Sequence, residues 1–202
     1  MLCRMRHGLT LILFLSLFGC TTPAVRVQPI VDAGRPYRLD GFSILAPGEH
    51  WYVVDHQPSR IGFVRYGRSW DDSWGAEAQF LAIPFAYRDR EDFLARLARR
   101  RDGFQGDPRF ELLETRQVRE RFRQMECLAS RLTARDRGAV NRGASLYLLL
   151  QVVSLSCLHP DVHSHMIELR FSHRGRRLLP WKALEAEARA YFRGLGLPQD
   201  SP

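Results

Sequence analysis

An α+β domain is predicted, with an antiparallel sheet of about seven to eight strands, one helix midway and one at the C-terminal end. Three observations predict it. Short runs with alternating apolar residues fill residues 42–83. Two stretches, around Phe93–Leu97 and Trp181–Phe192, carry apolar residues at helical spacing. Between them, residues 110–171 read as long strands separated by turn signals.

Taken in order, the domain opens with Phe42 and Ile44 alternating around Ser43. Pro47-Gly48 turns the chain, and Trp51–Val54 resumes a strand. Gln57-Pro58-Ser59 turns it again into Ile61–Tyr66. After a loop from Gly67 to Gly75, Ala76–Ile83 forms a strand with Ala78, Phe80 and Ala82 on one face. Asp89 can cap a helix, because its carboxylate accepts the free N–H groups of a first turn. Phe93, Leu94 and Leu97 are its apolar stripe. Arg99, Arg100 and Arg101 crowd its last turn, where cations suit the dipole, and Gly103 ends it. The expected long strands are Phe110–Val118, Arg121–Arg135, Leu146–Leu158 and Met166–Phe171. Leu146–Leu158 is the most apolar and is expected in the sheet interior. Pro180 opens the last helix, whose buried face is Trp181, Leu184, Ala188, Tyr191 and Phe192, and Gly194 stops it.

The first twenty residues have a different character. Arg4, Arg6 and His7 precede the apolar run Leu9–Phe18, which closes on Gly19-Cys20. A basic head, a short apolar middle and a small residue at the cut describe a secretory signal peptide. The run is shorter than the ~20 apolar residues that span a bilayer. Leu17-Phe18-Gly19-Cys20 resembles the lipobox of bacterial lipoproteins. The resemblance implies that Cys20 is lipidated and becomes the first residue of the mature chain. Thr21, rather than Asp, implies transfer to the outer membrane, with the domain on the periplasmic side. Met5 is an alternative start, since Arg6 and His7 still supply a basic head. The expected divisions are a leader at 1–19, a lipidated Cys and tether at 20–36, one domain at 37–197 and a tail at 198–202.

The formal charge is +8, and Arg4 and Arg6 leave with the leader, so the mature side chains carry +6. Lys182 is the only lysine. A cationic chain invites a nucleic-acid reading, but the export signal excludes it. A solvated arginine-rich surface is expected, able to meet anionic glycan or lipid.

The order of elements carries a second resemblance. Gly41-Phe42-Ser43-Ile44 with Pro47 and Trp51, then a helix, long strands and a terminal helix, resembles the Mog1/PsbP-like fold over residues 37–195. That family is mostly non-catalytic and transfers no site residues.

Three clusters could carry chemistry. Cys127 and Cys157 remain after Cys20, and an oxidising envelope invites a disulfide between them. If Asn141-Arg142-Gly143 is a three-residue hairpin loop, Val140 pairs with Ala144 and Cys127 falls opposite Cys157. Buried free thiols are the other reading of the pair. Asp161, His163 and His165 concentrate donors in one turn, and an extended chain would put both histidines on one face for Zn²⁺. Solvated turn histidines are the alternative. Trp70, Asp71, Asp72 and Trp74 place aromatics around two carboxylates on a loop. Such a loop could stack a sugar while the acids bind hydroxyls or cleave a glycoside, or its tryptophans could tuck back into the core. Cys157 and His159 sit too close along a strand for a nucleophile and base. No catalytic residue and no cofactor is assigned. The expected function is a lipid-anchored accessory domain for an envelope protein or glycan, and the alternative is an envelope glycan hydrolase.

Overall fold

The computed structural model describes residues 27–30, 32–69, 71–100, 107–138 and 147–198. The elements run β1 (Gln28–Pro29), β2 (Tyr37–Leu39), β3 (Phe42–Ile44), β4 (Tyr52–Gln57), β5 (Arg60–Tyr66) and β6 (Ser73–Ala82). Then come α1 (Arg90–Arg99), β7 (Phe110–Phe122), β8 (Met125–Asp136), β9 (Leu148–Leu158), β10 (His165–Gly175), α2 (Trp181–Phe192) and β11 (Leu195–Gly196). Eight strands form one antiparallel sheet in the order β1-β4-β5-β6-β10-β9-β8-β7. A second sheet, β11-β3-β2, is smaller. The α+β class and both helices agree with the sequence.

The path is not the simple meander that local alternation suggests. After β6 the chain crosses through α1 to the far edge, and β10 returns to pair with β6. Nothing in the local pattern encodes that crossover, because pairing partners are chosen by which apolar faces meet. β9 is interior, as its apolar run predicts. Gln28-Pro29, placed by sequence in the tether, adds a short edge strand to β4.

A hairpin at Arg123-Gln124 was not legible. Both residues have positive φ, 44° and 65°, and join Phe122 directly to Met125. Two left-handed residues suit the twist of a two-residue hairpin, normally signalled by Asn-Gly or Asp-Gly. Neither signal is present, so the sequence places the break between the expected strands at 118–121 instead. Gly41, at φ 76°, makes the β2–β3 turn, and an added Cβ there would lie 2.9 Å from the Phe80 ring.

The large sheet has two faces. The inner face meets α2 and the small sheet through one cluster that includes Ile61, Phe63, Leu155, Leu169, Phe171, Leu184 and Phe192. On the outer face, α1 seats Phe93, Leu94 and Leu97 on Leu128, Leu158 and Met166. Further along that face, Leu132, Ala134, Leu150 and Val152 form a third cluster. Asp89 caps α1 through its side chain, which accepts from the Asp92 N–H at 2.8 Å. Gly194 ends α2 by close approach, since a Cβ there would lie 2.9 Å from that of Leu45. Among the described residues, no helix is long and apolar enough to cross a membrane.

Candidate functional site

The turn at residues 67–72 joins β5 to β6 and carries the two acids singled out above. Its ends are tied by the Gly67 N–H donating to the Asp72 carbonyl at 2.8 Å. A Cβ on Gly67 would lie 2.3 Å from the Asp72 carboxylate, so only glycine lets the acid fold back. Asp71 is buried and pairs with the Arg176 guanidinium just beyond β10. The Ser69 hydroxyl bond holds its carboxyl below the ordinary range; burial opposes this, and Arg176 adds to it.

Asp72 takes a different partner. Its Oδ1 lies 2.7 Å from His173 Nε2. His173 is buried because period-two alternation along β10 turns it to the inner face with Leu169 and Phe171. Trp74 sits directly across from it on β6, and Arg65 flanks Trp74 from β5. The Trp74 and His173 ring centroids are 4.8 Å apart. The Arg65 guanidinium lies 4.5 Å from the Trp74 ring centroid and 5.1 Å from that of Trp51, and it bonds Glu187 of α2 at 2.9 Å. Gln151, opposite His173 on β9, clasps the Leu179 backbone through both ends of its amide. An open depression of about 520 Å³ lies beside these groups, lined by Ser69, Asp71, Asp72, Arg176 and Leu179 among others.

Trp74 is a residue of β6 rather than of the loop, engaged by its two cross-strand neighbours and lining the depression. Trp70 lies outside the described residues, as does Cys20. His173, Arg176, Arg65 and Gln151 were missed. Arg65 and Gln151 lie on expected strands and their signal was inward register alone, whereas His173 lies past the expected strand end, β10 running to Gly175 rather than Phe171, and Arg176 follows it.

The metal reading of Asp161, His163 and His165 is corrected. Among the described residues, no three His, Cys, Asp or Glu side chains come together to hold a metal ion. The turn at 160–164 is not extended, and β10 begins only at His165. His165 stacks on Phe80, with centroids 4.5 Å apart, and its Nδ1 meets the Ser164 hydroxyl at 2.9 Å. Asp161 and His163 are exposed in the turn. The histidine that organises this hairpin is His159. Its Nδ1 accepts from the Asp161 and Val162 N–H groups at 3.1 and 3.0 Å, which leaves Nε2 to donate to the Gly41 carbonyl at 2.9 Å.

Cys127 and Cys157 are paired across β8 and β9, as the hairpin count predicts. Their Sγ atoms are 2.09 Å apart, at disulfide distance, with Cα atoms 4.1 Å apart. One register runs without a slip from this pair to Asp136↔Leu148. The loop that sets it lies outside the described residues.

No family model matches the chain, and no curated protein matches it.

Proposed function

We propose that the chain is a lipid-anchored cell-envelope protein, held through Cys20 at the periplasmic side of the outer membrane. Its domain is a non-catalytic accessory module that binds an envelope protein or glycan. The lipobox-like residues at 17–20 support the anchor, and the order of elements supports a likeness to the Mog1/PsbP-like fold. One observation carries the preference for binding over hydrolysis. Each acid of the 67–72 turn is engaged by a side chain of the fold itself, Asp71 by the Arg176 guanidinium and Asp72 by the His173 imidazole. A glycosidase needs one carboxyl with a raised pKa to protonate the leaving group. Asp71 is shifted the other way.

The test has two arms. In cells, Cys20→Ser should abolish labelling by a palmitate analogue and release the protein from the membrane fraction. In vitro, the purified chain should retain isolated envelope glycan or a cross-linked envelope protein without generating reducing ends. Glycan cleavage that disappears in Asp71→Asn or Asp72→Asn would replace this reading with the hydrolase.

A further inference from the structure

The outer face of the sheet carries a second depression, of about 370 Å³, beyond the part that α1 covers. It goes beyond the reading above and does not require an acylated Cys20. Its shape follows from the register. Val64, Gly75, Ser172 and Val152 stand side by side across β5, β6, β10 and β9. The two middle positions are small, so the row has a hollow centre between two valines. Gly62, one pleat away on β5, extends the hollow. Leu150 and Phe110 wall it toward β7. The lining is mostly apolar.

One end is cationic in its unspent donors. Asp136 is buried and shared by two arginines. Arg109 bonds it through Nε and Nη2, at 2.7 and 2.8 Å, and Arg174 through Nη1 at 3.3 Å. Two guanidinium groups thus share one carboxylate, and both are more than a third exposed. Asp107, which caps the Arg109 backbone N–H, is exposed and outside the groove. At the other end one guanidinium, that of Arg170, meets two carboxylates, paired with Glu168 and 3.9 Å from Glu77, so the surplus of positive charge is at the Asp136 end.

The occupant follows from these features. All four strands of the floor are interior, and their backbone groups are spent on one another. A peptide laid on this face would find no partners for its amides. An alkyl chain has none to satisfy. The volume lies within the ~300–1,000 Å³ of small-molecule sites, near the lower end. We propose that this groove binds a fatty-acid anion, its alkyl chain over Gly62 and Gly75 and its carboxylate against Arg174 and Arg109. An arginine fork suits a carboxylate because two parallel N–H bonds match its two oxygens.

The full chain carrying Cys20→Ser, which removes the acylation candidate, is titrated with a fluorescent fatty-acid probe and competed with dodecanoate or dodecanol. Dodecanoate should displace the probe more strongly than dodecanol. Arg174→Gln should weaken dodecanoate by about tenfold, equivalent to about 1.4 kcal/mol, and leave dodecanol unchanged. Gly62→Leu should weaken both ligands. A Cβ at Gly62 meets its nearest neighbours at 3.5 and 3.6 Å, so the strand accepts it while the groove fills. Circular dichroism checks the fold of each variant, and if Gly62→Leu fails to fold, the Arg174→Gln split decides alone. Absence of displacement by dodecanoate, or equal loss of both ligands in Arg174→Gln, overturns the proposal.

Discussion

The two faces of the large sheet are built from the same strands and are finished differently. Among the described residues, the inner face gathers 23 buried residues into one continuous cluster, whereas the outer face holds 6 and 4 in two separate ones. α2 and the small sheet both close the inner side, and α1 covers only part of the outer side. The inner face therefore fixes the fold. The outer face leaves room, and the two arginines around Asp136 stand at the edge of that room. Stability and ligand capacity are divided between opposite sides of one sheet, which alternation along each strand makes available.

The largest test of this division is the covalent pair on the inner face. Replacing Cys127 and Cys157 together by alanine should cost about 3–4 kcal/mol, because the unfolded chain loses a closed loop of some 30 residues. Urea denaturation of oxidised and variant protein measures it. A smaller loss would mean that the inner face does not need its staple.

Truncating the same residue type on each side sharpens the contrast. Leu184→Ala, at a fully buried contact between α2 and the sheet, should cost about 3 kcal/mol. Leu150→Ala, whose side chain walls the outer groove, should cost nearer 2 kcal/mol, since the space it leaves joins an existing depression. Equal costs would remove the distinction between a sealed face and an open one.

Acid should act next. Asp136 on the outer face feels burial, which alone would raise its pKa, but Arg109 and then Arg174 bring it below 3.8. Asp71 is also depressed, through Ser69 and Arg176. Both carboxyls bind protons more weakly folded than unfolded. Their contribution is complete above pH 3.8 and is lost as pH falls through the lower folded values. Denaturation midpoints should be flat toward neutrality and fall in strong acid, less steeply in Asp136→Asn.

The smallest effect is expected at Tyr191, within the inner cluster. Among the described residues its buried hydroxyl has no hydrogen-bond partner, and burial pushes the phenol well above its ordinary range. Tyr191→Phe removes an unsatisfied group at constant shape and should change stability by less than about 0.5 kcal/mol or raise it slightly. A loss of 2 kcal/mol or more would reveal a hidden partner for that hydroxyl.

The sequence by itself determined what local physics encodes. Alternation marked most of the strands, the apolar run at 146–158 announced an interior one, and helical spacing with Asp89 announced α1. Even one long-range contact was countable, since a hairpin fixes register and register fixes which cysteine faces which. Tertiary structure decided everything that depends on which faces meet. It sent the chain across the sheet after β6, made the hairpin at Arg123-Gln124 without a turn signal, and drew Asp71 and Asp72 onto Arg176 and His173. It also set Arg174 and Arg109 on one carboxylate. These ion pairs and hydrogen bonds join residues 27 to 105 positions apart, and no turn signal of the kind that aligned Cys127 with Cys157 sets them opposite one another, so packing chooses.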